Sequence, residues 1–167
     1  MADDKTTDIL KSAILMEKRG QAFYEKVARQ ASAEAVKRFF ETMAAEEENH
    51  IRILSEQFKA YQANKQFKDN QFDDQHEPGI DSQVLSKEIK TEISAADYEA
   101  AAISAAMSME ESAIKLYSGR AVSATDPNEK ALYNWLAKWE AQHLNFLADI
   151  DRELTEDVWY DQSFWPF

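Results

Sequence analysis

Apolar side chains recur at intervals of three and four along four long stretches of this chain, the period that gathers them on one face of an α-helix. The first stretch covers about residues 7–31 and aligns Leu10, Ala13, Glu17, Tyr24 and Ala28. The second, about 33–63, aligns Val36, Phe40, Met43, Glu47, His50, Leu54, Phe58 and Tyr61. In the third, about 95–123, Ile103, Ala106, Glu110, Ala113 and Tyr117 share a face, and in the fourth, about 127–152, Leu132, Leu136, Glu140, His143, Leu147 and Ile150 do so. Every stripe is interrupted by a glutamate, and two of them by a histidine as well. Ser94 is the expected N-cap of the third helix, with Asp97 returning the bond as in a capping box. Asp126-Pro127-Asn128-Glu129 opens the fourth, with Asp as cap and Pro in the first turn.

Three glycines and three prolines in 167 residues leave little to break these helices. Almost nothing separates the first from the second at Ser32, or the third from the fourth at Thr125, so each pair folds back as an antiparallel hairpin. A polar segment over 64–94, containing Pro78-Gly79, then carries the chain along the bundle, with a short helix expected near 82–90. The predicted fold is all-α, one domain over 1–167. It is a ferritin-like four-helix bundle of two antiparallel hairpins joined by a long crossover, with an aromatic tail over 153–167.

Composition narrows the chemistry. There is no cysteine, which excludes disulfides, thiolate metal sites and cysteine nucleophiles within these residues. The net charge of −12 repels nucleic acid and anionic membranes and favours cations, although most of the 31 Asp and Glu are expected simply to coat solvent-facing helix sides. No stretch is apolar enough to cross a membrane, and Met1-Ala2-Asp3-Asp4-Lys5 lacks the basic end and apolar run of a secretory signal, so the expected setting is a soluble, cytoplasmic one.

The polar residues on the stripes obey one offset. Ninety-three residues separate Glu17 from Glu110, Glu47 from Glu140, His50 from His143 and Tyr24 from Tyr117, and the same step relates Met16 to Met109, Ala44 to Ala137 and Leu54 to Leu147. The hairpins read as two copies of one unit, which packing brings around a pseudo-two-fold axis. Four ionised carboxylates meeting in an apolar interior cost several kcal/mol each unless something balances them. Two divalent cations cancel their charge of −4, and two neutral imidazoles complete the donor set. Residues three apart face the same way on a helix, so Glu47-x-x-His50 and Glu140-x-x-His143 each offer an oxygen and a nitrogen, while Glu17 and Glu110 come from the partner helices. Oxygen and imidazole donors suit iron or manganese, and zinc also fits. A single E-x-x-H on an acidic helix carries little weight. Two copies in register, each with a lone Glu one helix earlier, make a dinuclear site the better reading.

With Met16-Glu17, Met109-Glu110, Ala45-Glu46-Glu47-Glu48-Asn49-His50-Ile51 and Trp139-Glu140-Ala141-Gln142-His143-Leu144 in place, the chain resembles the rubrerythrin-like branch of the ferritin-like superfamily over about residues 8–152. The resemblance implies a carboxylate-bridged centre of two iron ions on Glu17, Glu47, His50, Glu110, Glu140 and His143, with the four glutamates acting through the metals. It also implies Tyr24 and Tyr117 as hydrogen-bond donors to ligand carboxylates, and a homodimer. Full-length rubrerythrins carry a rubredoxin-like domain held by four cysteines; without cysteine, electrons have to come from a separate donor protein. Classical members also place a further Glu one turn after the third-helix ligand, where this chain has Ala113, which counts against efficient peroxide reduction.

The leading functional expectation is an oxidoreductase of peroxidase or ferroxidase type, oxidising Fe(II) with peroxide or dioxygen in a role tied to oxidative stress. Bacterioferritin-like iron storage shares the ligand set, but those proteins hold haem through a Met directly after the second-helix ligand, where Glu48 stands here. A bundle with non-catalytic ions is the third reading. Glu99 is expected to be a bundle-end residue rather than a ligand, His76 a surface residue, and Glu46 and Glu48 solvated charges flanking the ligand between them. The tail aromatics Trp159, Tyr160, Phe164, Trp165 and Phe167 are expected to pack onto the bundle or across a subunit boundary.

Overall fold

A computed structural model describes residues 2–69 and 82–160, apart from the side chains of residues 2–4, 82–84 and 157. Among the described residues the chain forms α1 (Ala2–Gln30), α2 (Glu34–Asn64), α3 (Ser82–Glu92), α4 (Tyr98–Ser123) and α5 (Pro127–Tyr160), with no strand. The four long helices are those the apolar stripes predict, and the fold is an all-α, ferritin-like bundle. Each of α1/α2 and α4/α5 closes as an antiparallel hairpin, α1 meets α4 across the bundle, and α3 lies against α5 and α2. None of the described helices is long and apolar enough to cross a membrane.

The core divides into two apolar clusters. One gathers Tyr24, Val27, Phe39, Phe40, Ile103, Leu147 and Ile150 with Leu85 and Ile89 of α3. The other gathers Leu10, Leu54, Tyr61, Ala113, Tyr117, Leu132, Tyr133, Trp135, Leu136 and Trp139. The 93-residue step exchanges them: Tyr24, Phe40 and Ile103 of the first correspond to Tyr117, Tyr133 and Leu10 of the second. The pseudo-two-fold axis therefore crosses the bundle between the clusters, in the layer where the glutamates and histidines lie. Since α2 ends in the second cluster and α4 begins in the first, the connection has to run the length of the bundle, as the crossover predicts. Its Pro78-Gly79 and His76 lie outside the described residues.

Several local expectations change. The fourth long helix continues through the predicted boundary at 152 to Tyr160, so the start of the aromatic tail is helical. There Trp159 is 71 % and Tyr160 86 % exposed in the single chain; Phe164, Trp165 and Phe167 lie outside the described residues. On α2 the inner position belongs to Gln57, fully buried, with Phe58 half-buried beside it. Gln57 Oε1 accepts from the Lys68 backbone N–H at 2.9 Å and Nε2 donates to its carbonyl at 3.2 Å, so the amide satisfies a loop that no helix bonds serve. Ser94 does not open α4. Asp97 Oδ2 accepts the Ser94 N–H at 2.7 Å, which closes a turn over 94–97, and the helix begins one residue later at Tyr98. Asp126 caps α5 as expected, accepting from the N–H groups of Asn128 (2.8 Å) and Glu129 (3.3 Å). Glu129 itself turns to Arg120, which donates through Nε at 2.7 Å and so fastens the end of α4 to the start of α5.

Candidate metal centre

Glu17 of α1, Glu47 and His50 of α2, Glu110 of α4 and Glu140 and His143 of α5 all meet in the layer between the two clusters, each at most 3 % exposed. Their donor atoms form two overlapping groups. Glu17, Glu47, His50 and Glu140 offer ligand atoms lying within 4.8 Å of one another, and Glu47, Glu110, Glu140 and His143 do the same. The groups share Glu47 and Glu140. His50 Nδ1 stands 3.1 Å from Glu140 Oε1, 3.2 Å from Glu17 Oε2 and 3.6 Å from Glu47 Oε2. His143 Nδ1 stands 3.1 Å from Glu140 Oε2, 3.6 Å from Glu110 Oε1 and 4.0 Å from Glu47 Oε1. Each carboxylate in the E-x-x-H pairs thus sends one oxygen to either imidazole, whereas Glu17 and Glu110 each serve one side. The two rings lie 6.0 Å apart at 28°.

Both tyrosines reach across the pseudo-symmetry axis. Tyr24 donates its hydroxyl to Glu110 Oε1, and Tyr117 donates to Glu17 Oε1. Burial first, then the nearby carboxylate charges, push both phenols well above their usual range, so they remain donors. A phenol that stays protonated orients one oxygen of a carboxylate and leaves the other free to bind.

By themselves the side chains settle their charge by sharing protons. Burial, then the charge of Glu140, pushes Glu47 well above the usual carboxylate range and Glu110 from about 4.5 up to about 7. Burial acts the same way on Glu140, but the imidazoles His50 and His143 outweigh it and hold that carboxyl well below its usual range. Burial depresses both imidazoles. The surrounding carboxylates reverse this, Glu140 foremost for His50 and the hydrogen bond to Glu110 foremost for His143, so both rings are held cationic well above their usual range. Two imidazolium charges thus offset part of the carboxylate charge, and any cation that binds has to displace protons to do so. Oε1 of Glu140, fully buried, has only the ion-pair contact of His50 Nδ1 at 3.1 Å and no well-aligned hydrogen bond among the described residues, which leaves a lone pair for a ligand. Donor number, donor type and spacing fit a dinuclear site of hard or borderline divalent ions.

A cavity of about 20 Å³, room for about one water, opens onto this layer between α1 and α4. Met16, Gly20, Met109 and Ala113 line it together with Glu17, Glu47, Glu110, Glu140 and Tyr24. Gly20 and Ala113 are related by the repeat, and their small size keeps the approach open from that side.

Glu99 remains apart from the cluster, as expected of a bundle-end residue. It accepts from the N–H and hydroxyl of Ser32, both at 3.2 Å, and so ties the α1–α2 turn to the start of α4. Glu46 departs from the expectation of a solvated charge. Its Oε2 contacts His143 Nε2, the ring nitrogen opposite the one facing the carboxylates. The sequence conceals this, because the repeat places Trp139 rather than a second acid at the related position. Trp135 and Trp139 were likewise missed as neighbours of the site; their rings meet His50 edge-on at 5.6 Å and 5.8 Å.

No curated protein and no solved structure matches the chain. A protein-family model does match, over residues 8–151, and its description is Rubrerythrin.

Proposed function

The chain belongs to the rubrerythrin family, and on that premise we propose that it holds two iron ions between Glu17, Glu47, His50, Glu110, Glu140 and His143 and works as a redox enzyme on peroxide or dioxygen. The observation that carries this is the sharing of Glu47 and Glu140 between two four-donor groups, since a mononuclear site has no use for a second imidazole and a second terminal carboxylate. A di-iron centre supplies two one-electron equivalents to an oxidant.

What the protein contributes is placement and electrostatics. Glu47 and Glu140 would serve both ions and Glu17 and Glu110 one each, while Tyr24 and Tyr117 hold the Glu110 and Glu17 carboxylates in orientation. The neighbouring apolar clusters keep water scarce, which strengthens every charge interaction in the layer. A small cavity beside Gly20 and Ala113 reaches the carboxylates, which suits an oxidant as small as peroxide or dioxygen. These 167 residues contain no cysteine, so they hold no rubredoxin-type iron site to resupply the centre with electrons.

The test is anaerobic loading of metal-free protein with Fe(II), followed by one pulse of peroxide or air. The expected result is two irons per chain and oxidation to Fe(III) far faster than free Fe(II), read by ultraviolet absorption. Uptake of two ions with no accelerated oxidation keeps the dinuclear site and rejects the redox role. Elution as a large cage in size-exclusion chromatography points to storage instead of the expected dimer.

A further inference from the structure

The repeat that duplicates all six donors breaks one residue before each E-x-x-H carboxylate, where α2 carries Glu46 and α5 carries Trp139. Glu46 reaches from α2 to the outer nitrogen of His143, and its side chain is only 17 % exposed. Phe39, Met43 and Phe146 line the hollow beside this contact, a low-dielectric surrounding that strengthens it. Trp139 cannot do the same for His50. Its indole has a donor and no acceptor, and it stands edge-on to His50 at 5.8 Å and to His143 at 6.0 Å.

An imidazole that binds a metal through Nδ1 carries its proton on Nε2. A carboxylate accepting that proton fixes the tautomer, holds the ring and makes it a stronger donor. His143 has such a partner. The position related to that partner, beside His50, holds an aromatic wall of Trp139, adjoined by Trp135.

We propose that the two ion positions are inequivalent: the one built on His143 with Glu47, Glu110 and Glu140 binds more tightly and fills first because Glu46 positions its imidazole, and the one built on His50 is the weaker and more exchangeable. Glu46 is thus a positioning residue for one half of the site. The inference rests on the dinuclear reading above and assigns each half a different affinity.

The test is an anaerobic titration of the metal-free, full-length chain with Co(II), followed by visible absorption and by quenching of tryptophan fluorescence, to which Trp135 and Trp139 report from beside the histidines. Wild type is expected to fill in two resolved steps. Glu46→Ala is expected to weaken the tighter step about 10- to 100-fold and leave the other where it was. Glu46→Gln, whose amide oxygen still accepts and whose volume is nearly unchanged, is expected to restore most of the loss, which separates the hydrogen bond from any packing defect. Two steps unchanged in Glu46→Ala, both weakened alike, or no rescue by Gln overturns the proposal while leaving a dinuclear site standing. A wild-type chain that takes up no Co(II) overturns the dinuclear reading and this proposal with it.

Discussion

The α1/α2 and α4/α5 hairpins present the same donors in the same register, yet they surround them differently. Glu17, Glu47 and His50 repeat as Glu110, Glu140 and His143, and each hairpin lends a tyrosine to the other's terminal glutamate. Around that shared frame, Glu46 is answered by Trp139, Gly20 by Ala113 and Phe40 by Tyr133. The charge problem of four buried carboxylates has one solution and both halves carry it. The shell around the donors is free of that demand, and it is there that the halves separate. Duplication explains what the two halves of the cluster share, and the departures from it locate where they differ.

The comparison breaks most sharply along another line, between shared and unshared glutamates. Glu47→Ala or Glu140→Ala removes oxygens from both donor groups, so metal bound after desalting, measured by elemental analysis, is expected to drop from two ions per chain to almost none. Glu17→Ala or Glu110→Ala is expected to leave close to one. Equal losses from all four variants would show that no carboxylate is shared.

Chelation tests the charge balance as a whole. In the metal-free chain the raised acids Glu47 and Glu110 favour folding while protonated. That contribution is complete below their unfolded value of about 4.5 and disappears as pH rises through the folded one, which for Glu110 is about 7. The raised imidazoles add stability in full below their unfolded value, and lose it as pH rises from there through their higher folded values. Glu140, held low, adds stability above about 4.5 and loses it only as pH falls through its depressed value. From pH 5.5 to 7.5 the metal-free fold therefore weakens, while bound ions supply the missing positive charge. A chelator is expected to lower Tm by about 10 °C at pH 7.5, the scale of a ligand worth about 4 kcal/mol, and by clearly less at pH 5.5. Equal shifts at the two pH values count against a buried carboxylate cluster.

The tyrosines sharpen the symmetry. Tyr24→Phe and Tyr117→Phe each remove one hydroxyl donor from a buried carboxylate and are expected to cost roughly 1–3 kcal/mol in urea unfolding. The two losses are expected to agree closely; a large gap means that only one crossing bond matters. The smallest effect is at Gly20. A Cβ there meets the Glu47 carboxyl carbon at 3.5 Å, an ordinary contact, so Gly20→Ala copies its mate Ala113 and is expected to stabilise α1 by about 0.5–1 kcal/mol. A loss instead shows that the gap beside Glu47 has to stay open.

The sequence alone determined the four helices, the two hairpins and the six glutamates and histidines of the buried cluster, because helical periodicity is local and a buried acid on an apolar stripe is conspicuous. Identical spacing in both halves added the pairing without any coordinates. Tertiary structure decided everything that depends on how the helices rotate against one another. It made Glu47 and Glu140 the shared carboxylates and sent each tyrosine to the opposite hairpin. It also turned Glu46 from an apparent surface charge into the partner of His143. The start of α2 shows the same division: Ala33 offers no capping side chain, and Glu92 at the end of α3 accepts the Ala35 N–H at 2.9 Å instead. Spacing along one helix says which way a side chain points. What it meets there is set by a neighbour dozens of residues away, whose approach angle comes from packing that no single helix encodes.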